Sequence, residues 1–441
     1  MRSRKRAGDG RMDEETNKFL VLTTDSTCVI MKTIRDKHAM YQSVKARIYP
    51  TDAQTEKLSQ FFGCARWWWN RALNETTTTY AATGKGLSRE GLNALLPNLK
   101  KEFVWLGECH SQVLQSVTLN LTKAFINFFE KRAKYPNFKS KHGKQSIQYP
   151  QGTKFVDNLI YLPKLGWVKI NLRRPLEGEV KTVTISNNPS GQYFAAILTE
   201  KDGEYPAPSA DGNAIGVDLG ITDFAITSTG SKYPNPRHIK KHESNLKRKQ
   251  RKLSRKVKGS NSRNKARKLV ARVHQRISNS RQDFLHKLSH KLVNENQVIV
   301  VEDLAVKNMV KNHCLAKAIS DCGWSSFVGM LDYKCERSGK ILVKVERFFP
   351  SSKTCSNCYR RVSSLPLDVR QWTCSNCGTN HDRDVNAAQN LKAEGLRILS
   401  LGTSETADGG KVRPNRGRKT SVRHSPSKSE APTIRASVGG G

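Results

Sequence analysis

Two Cys-x-x-Cys pairs separated by fifteen residues, Cys355/Cys358 and Cys374/Cys377, constrain this chain more than any other feature. Each pair can deliver two sulfurs from one tight turn, and two such knuckles on adjoining hairpins close four thiolates around a tetrahedral ion. The spacing is that of a zinc ribbon, so Zn²⁺ is expected on Cys355, Cys358, Cys374 and Cys377. Four cysteines leave no open position, which makes such a zinc structural. His381, four residues past Cys377, is an alternative to one of the thiolates. Metal ligation rather than disulfide pairing also fits the absence of a secretory signal, and implies a reducing compartment. The N-terminus is basic, but Asp13, Glu14 and Glu15 follow it and Asp25 interrupts the one apolar candidate. No apolar run reaches eighteen residues, so a membrane-spanning helix is excluded.

The 76 Lys and Arg against 38 Asp and Glu leave a formal charge of +38. Such a charge repels itself without a polyanion, and makes nucleic acid the expected partner, bound largely through its phosphates. No amphipathic basic helix with a Trp/Leu face stands out to suggest a membrane surface instead. Between Arg237 and Lys291 there are twenty Lys and Arg against two acidic residues. Leu246, Leu253, Val257, Leu269, Val270, Val273, Ile277, Leu285 and Leu288 recur there with helical periodicity, so this stretch reads as long basic helices broken at Gly259-Ser260-Asn261-Ser262.

Order begins near Ser43. The segment Val44–Tyr49 alternates as a half-buried strand, and Pro50-Thr51 opens a helix whose core stripe is Phe61, Phe62, Ala65, Trp68, Trp69, Ala72 and Leu73. Trp67 points off that stripe and is the one tryptophan available for base stacking. A second amphipathic helix runs from about Ser111 to Lys131, and residues 147–200 are β-rich. Residues 201–212, rich in Pro, Gly, Ser and Asp, are a linker. A new domain then opens on the strand Ala214–Asp218, with a second strand from Phe224 to Thr227. Val298-Ile299-Val300-Val301 is a strand buried on both faces. A helix at 324–338, a strand from Ile341 to Val345 and a helix from Asn386 to Leu399 follow.

Three carboxylates lie at chemically suggestive places: Asp218 at a strand end, Glu302 at the end of the buried strand, and Asp384 where a helix begins. Gathered together they would hold Mg²⁺ or Mn²⁺, because hard ions select oxygen ligands, and two such ions can drive phosphodiester hydrolysis. Spacing alone leaves ordinary readings open: Asp218 as a turn residue, Glu302 as an ion-pair partner of the basic helices, Asp384 as a helix N-cap.

The set Gly216-Val217-Asp218-Leu219-Gly220-Ile221, Val301-Glu302-Asp303-Leu304, the cysteine pairs, and Asp382-Arg383-Asp384-Val385-Asn386-Ala387-Ala388-Gln389-Asn390-Leu391 resembles the TnpB (OrfB) family, related to type V CRISPR effectors. Ile48-Tyr49-Pro50-Thr51, Cys64-Ala65-Arg66-Trp67-Trp68-Trp69-Asn70 and Tyr135-Pro136-Asn137-Phe138-Lys139-Ser140-Lys141 add to the match, which covers roughly residues 43–400. The resemblance implies an α/β plus β-barrel fold: an RNase H-like (RuvC-like) nuclease domain with an inserted zinc ribbon, preceded by a β-barrel wedge domain that a helical recognition lobe interrupts. On that pattern residues 1–42 are a mobile extension, 43–60 and 135–205 the wedge, and 61–134 the lobe. Residues 212–350 and 381–400 are then the RuvC-like domain, with basic helices at 237–291, while 351–380 are the ribbon and 401–441 a disordered basic tail.

It further implies catalytic, magnesium-binding Asp218, Glu302 and Asp384, with Glu302 preferred over Asp303 and Asp384 over Asp382. The implied activity is Mg²⁺-dependent, RNA-guided DNA cutting beside a short adjacent motif, with guide RNA from the transposon end and target double-stranded DNA as partners, in the prokaryotic cytoplasm at the nucleoid. Such proteins are often named transposases. The rival readings are a non-cleaving DNA-binding repressor or transposition accessory, and a DNA-strand transferase. Lys141, Lys144, Arg173 and Arg174 are candidate backbone contacts or simply a solvated face.

Overall fold

Alternating apolar residues in the first half of the chain build a seven-stranded antiparallel sheet. The computed structural model describes residues 39–366 and 368–405. The predicted N-terminal extension up to residue 38 and the predicted tail from 406 lie outside these, whereas residues 401–405, assigned to that disordered tail, continue the last described helix. The strands are β1 (Ala39–Tyr49), β2 (Gln145–Tyr149), β3 (Lys154–Val156), β4 (Leu159–Leu162), β5 (Gly166–Asn171), β6 (Glu179–Asn187) and β7 (Tyr193–Asp202), in the order β2-β6-β7-β1-β5-β4-β3. It is a barrel left open between β2 and β3.

Strand β1 starts at Ala39 rather than Ser43. Residues 39–42, assigned to the extension, pair with β7 from Ala39↔Asp202 to Gln42↔Thr199, because β7 runs on far enough to offer them a ladder. Helices α1 (Asp52–Thr83), α2 (Arg89–Glu102) and α3 (Ser111–Phe129) are inserted between β1 and β2. Thr51 and Gln54 form a capping box that starts α1, and Gly84 at φ 69° ends it. The helix runs unbroken through the expected 60/61 boundary, so the segments assigned to lobe and wedge share an element. They also share one core, in which Leu58, Phe61, Trp68, Leu73, Leu114 and Leu121 pack with Ile48, Tyr149, Ile160, Val183 and Ile197.

Trp68 is fully buried and its Nε1 donates to Thr118 Oγ1 at 3.0 Å, while Trp69 Nε1 donates to the Asn137 carbonyl at 3.0 Å. Trp67 is half-buried and belongs to an aromatic cluster. Its ring packs against Phe103 and Trp105, with centroids 5.0 and 5.2 Å away.

The second sheet holds β8 (Ala214–Asp218), β9 (Asp223–Thr227), β10 (Lys232–Pro234), β11 (Val298–Glu302) and β12 (Ile341–Val345), ordered β10-β9-β8-β11-β12. β8, β9 and β10 form an antiparallel meander; β8, β11 and β12 are parallel. The parallel crossovers run through basic α4 (His238–Ser254) and α5 (Asn261–Glu295), and through α6 (Val306–Met309), α7 (Ala316–Cys322) and α8 (Trp324–Arg337). Ile299 and Val301 of β11 bury one way, with Ile215, Leu288, Phe327 and Leu331, whereas Val298 and Val300 bury the other way with Val343 and Leu391. The apolar run at 298–301 is therefore covered on both faces.

The second face is covered by α9 (Arg383–Glu405), which lies unusually close to the strands. A β-carbon on Gly216 of β8 would stand 2.0 Å from the Ala388 carbonyl oxygen, and one on Gly395 of α9 2.4 Å from a methyl of Val300. Glycine at 216 is what lets the helix lie on the sheet. Gly216→Ala should cost about 1–3 kcal/mol, the range for overpacking, and appear as a lowered Tm; an unchanged Tm would mean that α9 is not seated this closely. Among the described residues no helix is long and apolar enough to cross a membrane.

Candidate active site and zinc ribbon

Side chains alternate along a strand, so Gly216 and Asp218 share a face of β8, as Val300 and Glu302 share a face of β11. The parallel register sets Val300 against Gly216 and Val301 against Val217, which brings Glu302 beside Asp218 one step further on. This is the face covered by α9, and Asp384 lies in that helix's first turn. The three carboxylates thus converge from two adjacent strand ends and one helix start.

The Asp218 carboxyl is pushed up to about 7, first by burial and then by the negative charges of Asp384 and Glu302. The Leu219 amide and Arg383 act against that rise. Glu302 is also raised, by burial and by Asp303, with Arg347 opposing. Arg370 Nη1 reaches both oxygens of Asp384, at 3.3 and 3.4 Å. Among the described residues only the four cysteines bring three or more metal-ligating atoms within 4.8 Å of one another. The carboxylates stand further apart, as like charges do, with Arg370 engaging the third.

The neighbouring acids have other partners. Asp303 pairs with Arg347 at 2.9 Å on the exposed side of the strand end. Asp382 Oδ1 accepts the amides of Asp384 and Val385, each at 3.1 Å, and its Oδ2 pairs with Lys232 at 2.6 Å. Asp382, not Asp384, therefore caps the helix, and Asp384 is left facing Asp218. Lys232, 150 residues away from Asp382, and Arg370 are site residues that no local pattern announced.

The four cysteine sulfurs lie within 4.8 Å of one another, with Cys355–Cys377 and Cys358–Cys374 each at 3.6 Å. A tetrahedron of Zn–S bonds near 2.3 Å has sulfurs about 3.8 Å apart, so this donor set fits Zn²⁺. Each knuckle closes through the same pair of backbone bonds. The Tyr359 amide donates to the Cys355 carbonyl and the Gly378 amide to the Cys374 carbonyl; the Cys355 amide donates to Arg360 and the Cys374 amide to Thr379. The Thr379 hydroxyl and amide hold the Cys377 thiol down at about 5. His381 is buried on strand β14 (Asn380–Asp382), which pairs with β13 (Gln371–Thr373), and its Nε2 lies 3.0 Å from Cys355 Sγ. It borders the sulfur cluster as a neighbour of one thiol.

The ribbon is tied to the carboxylates through α9. Asn386 accepts the Ser356 amide at 2.9 Å and donates to the Thr354 carbonyl at 2.7 Å. Gln389 takes the Ser356 hydroxyl at 2.8 Å, and Asn390 donates to the Ser351 and Thr354 carbonyls. Positions 386, 389 and 390 share one helix face. The intervening Ala387 and Ala388 are buried on the sheet side. The motif after Asp384 is thus a clamp between ribbon and sheet.

A family model of the IS605 OrfB group, described as "Probable transposase", matches residues 195–313, and a Cas12f1-like TNB domain model matches 324–391. A helix-turn-helix domain model matches 40–85, which here form β1 and the single helix α1. A "Putative RNA-guided DNA endonuclease" of Streptomyces pristinaespiralis is 43% identical over 401 residues, covering 88% of this chain and 97% of that protein. The "Putative RNA-guided DNA endonuclease InsQ" of Escherichia coli (strain K12) is 33% identical over 382 residues, covering 82% and 94%. Among solved structures, a Cas12f1–sgRNA–target DNA complex aligns over 80% of this chain and 99% of its own with a TM-score of 0.52 at 12% identity, a likeness of fold alone. With that identity to the Streptomyces relative over nearly its whole length, and the OrfB model lying on the strands that carry Asp218 and Glu302, the chain belongs to the TnpB (OrfB) family.

Proposed function

We propose that this protein is an RNA-guided DNA endonuclease of an insertion sequence, cutting target double-stranded DNA beside a short adjacent motif in the prokaryotic cytoplasm at the nucleoid. The observation that carries the reading is the convergence of Asp218, Glu302 and Asp384 on the α9 face of the second sheet, inside a strongly basic chain. The names of the relatives, and the guide RNA and target DNA in the Cas12f1 complex, support it.

The all-oxygen set fits Mg²⁺ or Mn²⁺, with Asp218, Glu302 and Asp384 as the holding residues. Such ions, when bound, activate a water and stabilise the leaving oxygen of a phosphodiester. The chain's own part is to fix the three carboxylates on rigid elements. Asp382 and Lys232 anchor the start of α9, and Asn386 and Asn390 keep the ribbon against it. One face of helix α4 borders an open groove of about 790 Å³ with Lys240, Lys247, Arg248, Arg251, Lys252 and Arg255 around Glu243 and Ser244, a mainly basic surface suited to a nucleic-acid backbone. Exposed Lys141, Lys144, Arg173 and Arg174 are further phosphate contacts. The open barrel serves as wedge and α1–α3 as recognition lobe, for a guide RNA from the transposon end.

Proton competition should be visible in metal binding. Asp218 holds a proton below about pH 7, so a divalent cation must displace it there and meets a bare carboxylate above. The apparent Mn²⁺ Kd in calorimetry should tighten about tenfold between pH 5.5 and 7 and then flatten; a profile flat throughout would contradict this. The reaction class is tested by incubating the purified protein–RNA complex with Mg²⁺, a matched target plasmid and transposon-end DNA. Linearised target without joined ends is the expected result, and strand joining would make the protein a transferase.

A further inference from the structure

The two knuckles repeat one pentapeptide with a single change, Cys355-Ser-Asn-Cys-Tyr359 and Cys374-Ser-Asn-Cys-Gly378. The fifth position is left-handed in both, with φ 59° at Tyr359 and 71° at Gly378. Glycine adopts that conformation freely, whereas a β-carbon disfavours it. A β-carbon added to Gly378 would meet nothing within 4 Å, so this position offers a side chain no packing. Tyr359 matches that description. The residue is 67% exposed; its amide donates to the Cys355 carbonyl, and its side chain has no hydrogen-bond or ring partner among the described residues. Neither the turn nor the core accounts for a tyrosine here.

The next two residues are exposed arginines. Arg360 Nη1 reaches Asn376 Oδ1 at 3.3 Å, and neither guanidinium is paired with a carboxylate among the described residues. A bare ring beside two uncompensated guanidiniums suits a nucleotide strand, the ring taking a base face and the cations its phosphates. The knuckle is also fixed in place, since Ser356 hydrogen-bonds to Asn386 and Gln389, two and five residues past Asp384.

We propose that Tyr359, with Arg360 and Arg361, is a stacking platform for single-stranded DNA, positioning the strand that runs to Asp218, Glu302 and Asp384. The destination of the strand rests on the nuclease reading; the contact itself is measured without cleavage, so the two can fail separately.

The test is binding of a labelled oligothymidine to the zinc-loaded full chain, without added divalent cation, over a salt series. Tyr359→Gly, which copies the second knuckle and relieves the left-handed strain, should keep its zinc and Tm yet weaken binding about tenfold, with an unchanged salt slope. Tyr359→Phe should bind as the parent does. Arg361→Ala should reduce the salt slope by about one. Tyr359→Asn, which also tolerates the left-handed region, repeats the test should the glycine variant lose its zinc. Oligothymidine affinity unchanged in a zinc-retaining Gly or Asn variant overturns the proposal, and so does a loss confined to oligouridine.

Discussion

Asp218→Asn is expected to lower target cleavage at least about a thousandfold, the scale of losing several kcal/mol of divalent-ion stabilisation of the transition state. The same substitution should make the chelated protein more stable at pH 8. Asp218 in the folded chain keeps its proton up to about pH 7, whereas the unfolded chain releases it near 3.8. The folded state therefore holds the extra proton between those values, and stability falls as pH rises through that window. An uncharged amide removes this penalty, so Tm in EDTA should rise by a few degrees above pH 7 and not at pH 4. Loss of activity with a gain of stability separates a functional charge from a structural one. A variant that cuts normally, or that melts lower at pH 8, would contradict the placement of Asp218.

The second large effect is on the ribbon. Cys355→Ser with Cys374→Ser removes one sulfur from each knuckle, and zinc content should fall from about one per chain to near zero. Cleavage should be lost with it. Asn386 and Asn390 bond to backbone between Ser351 and Ser356, and Arg370, from the strand-side segment of the ribbon, engages Asp384, so a collapsed ribbon releases the helix start that carries the third acid. Thermal unfolding should gain a separate low-temperature transition while the core of Trp68, Tyr149 and Ile197 melts as before. His381→Ala should retain zinc, because four cysteines already supply the donors. Zinc kept at full stoichiometry by the double serine variant would overturn the ribbon assignment.

Particular residues show what local pattern could and could not reveal. The cysteine spacing and the Val298–Val301 run were legible because their constraints, ligand geometry and burial on both faces, act over a few residues. Helix α2 was missed even though Ser88 caps it and Leu92, Leu96 and Leu99 bury at helical spacing, since Gly91 and an interior Pro97 make the segment look like loop. The roles of Asp382 and Asp384 divide only in three dimensions. Both are acids at a helix start, and Asp382 takes the amides of Asp384 and Val385 on one oxygen while Lys232, from the far edge of the sheet, pairs with the other. Arg370's hold on Asp384 and Arg347's on Asp303 are likewise products of tertiary approach. The asparagines of the last motif were visible as a pattern, but their purpose as a clamp on ribbon carbonyls appears only once α9 is seated on Gly216.

The central claim is cutting by these three acids under RNA guidance. Its most direct test is cleavage of a plasmid library with randomised bases beside a fixed target, by protein co-expressed with RNA from its own genomic flank, beside an Asp384→Ala control. Mg²⁺-dependent cutting that enriches one adjacent motif and disappears in the control is the predicted result. Motif-selective binding without cutting would contradict it, and would make the protein a DNA-binding accessory or repressor.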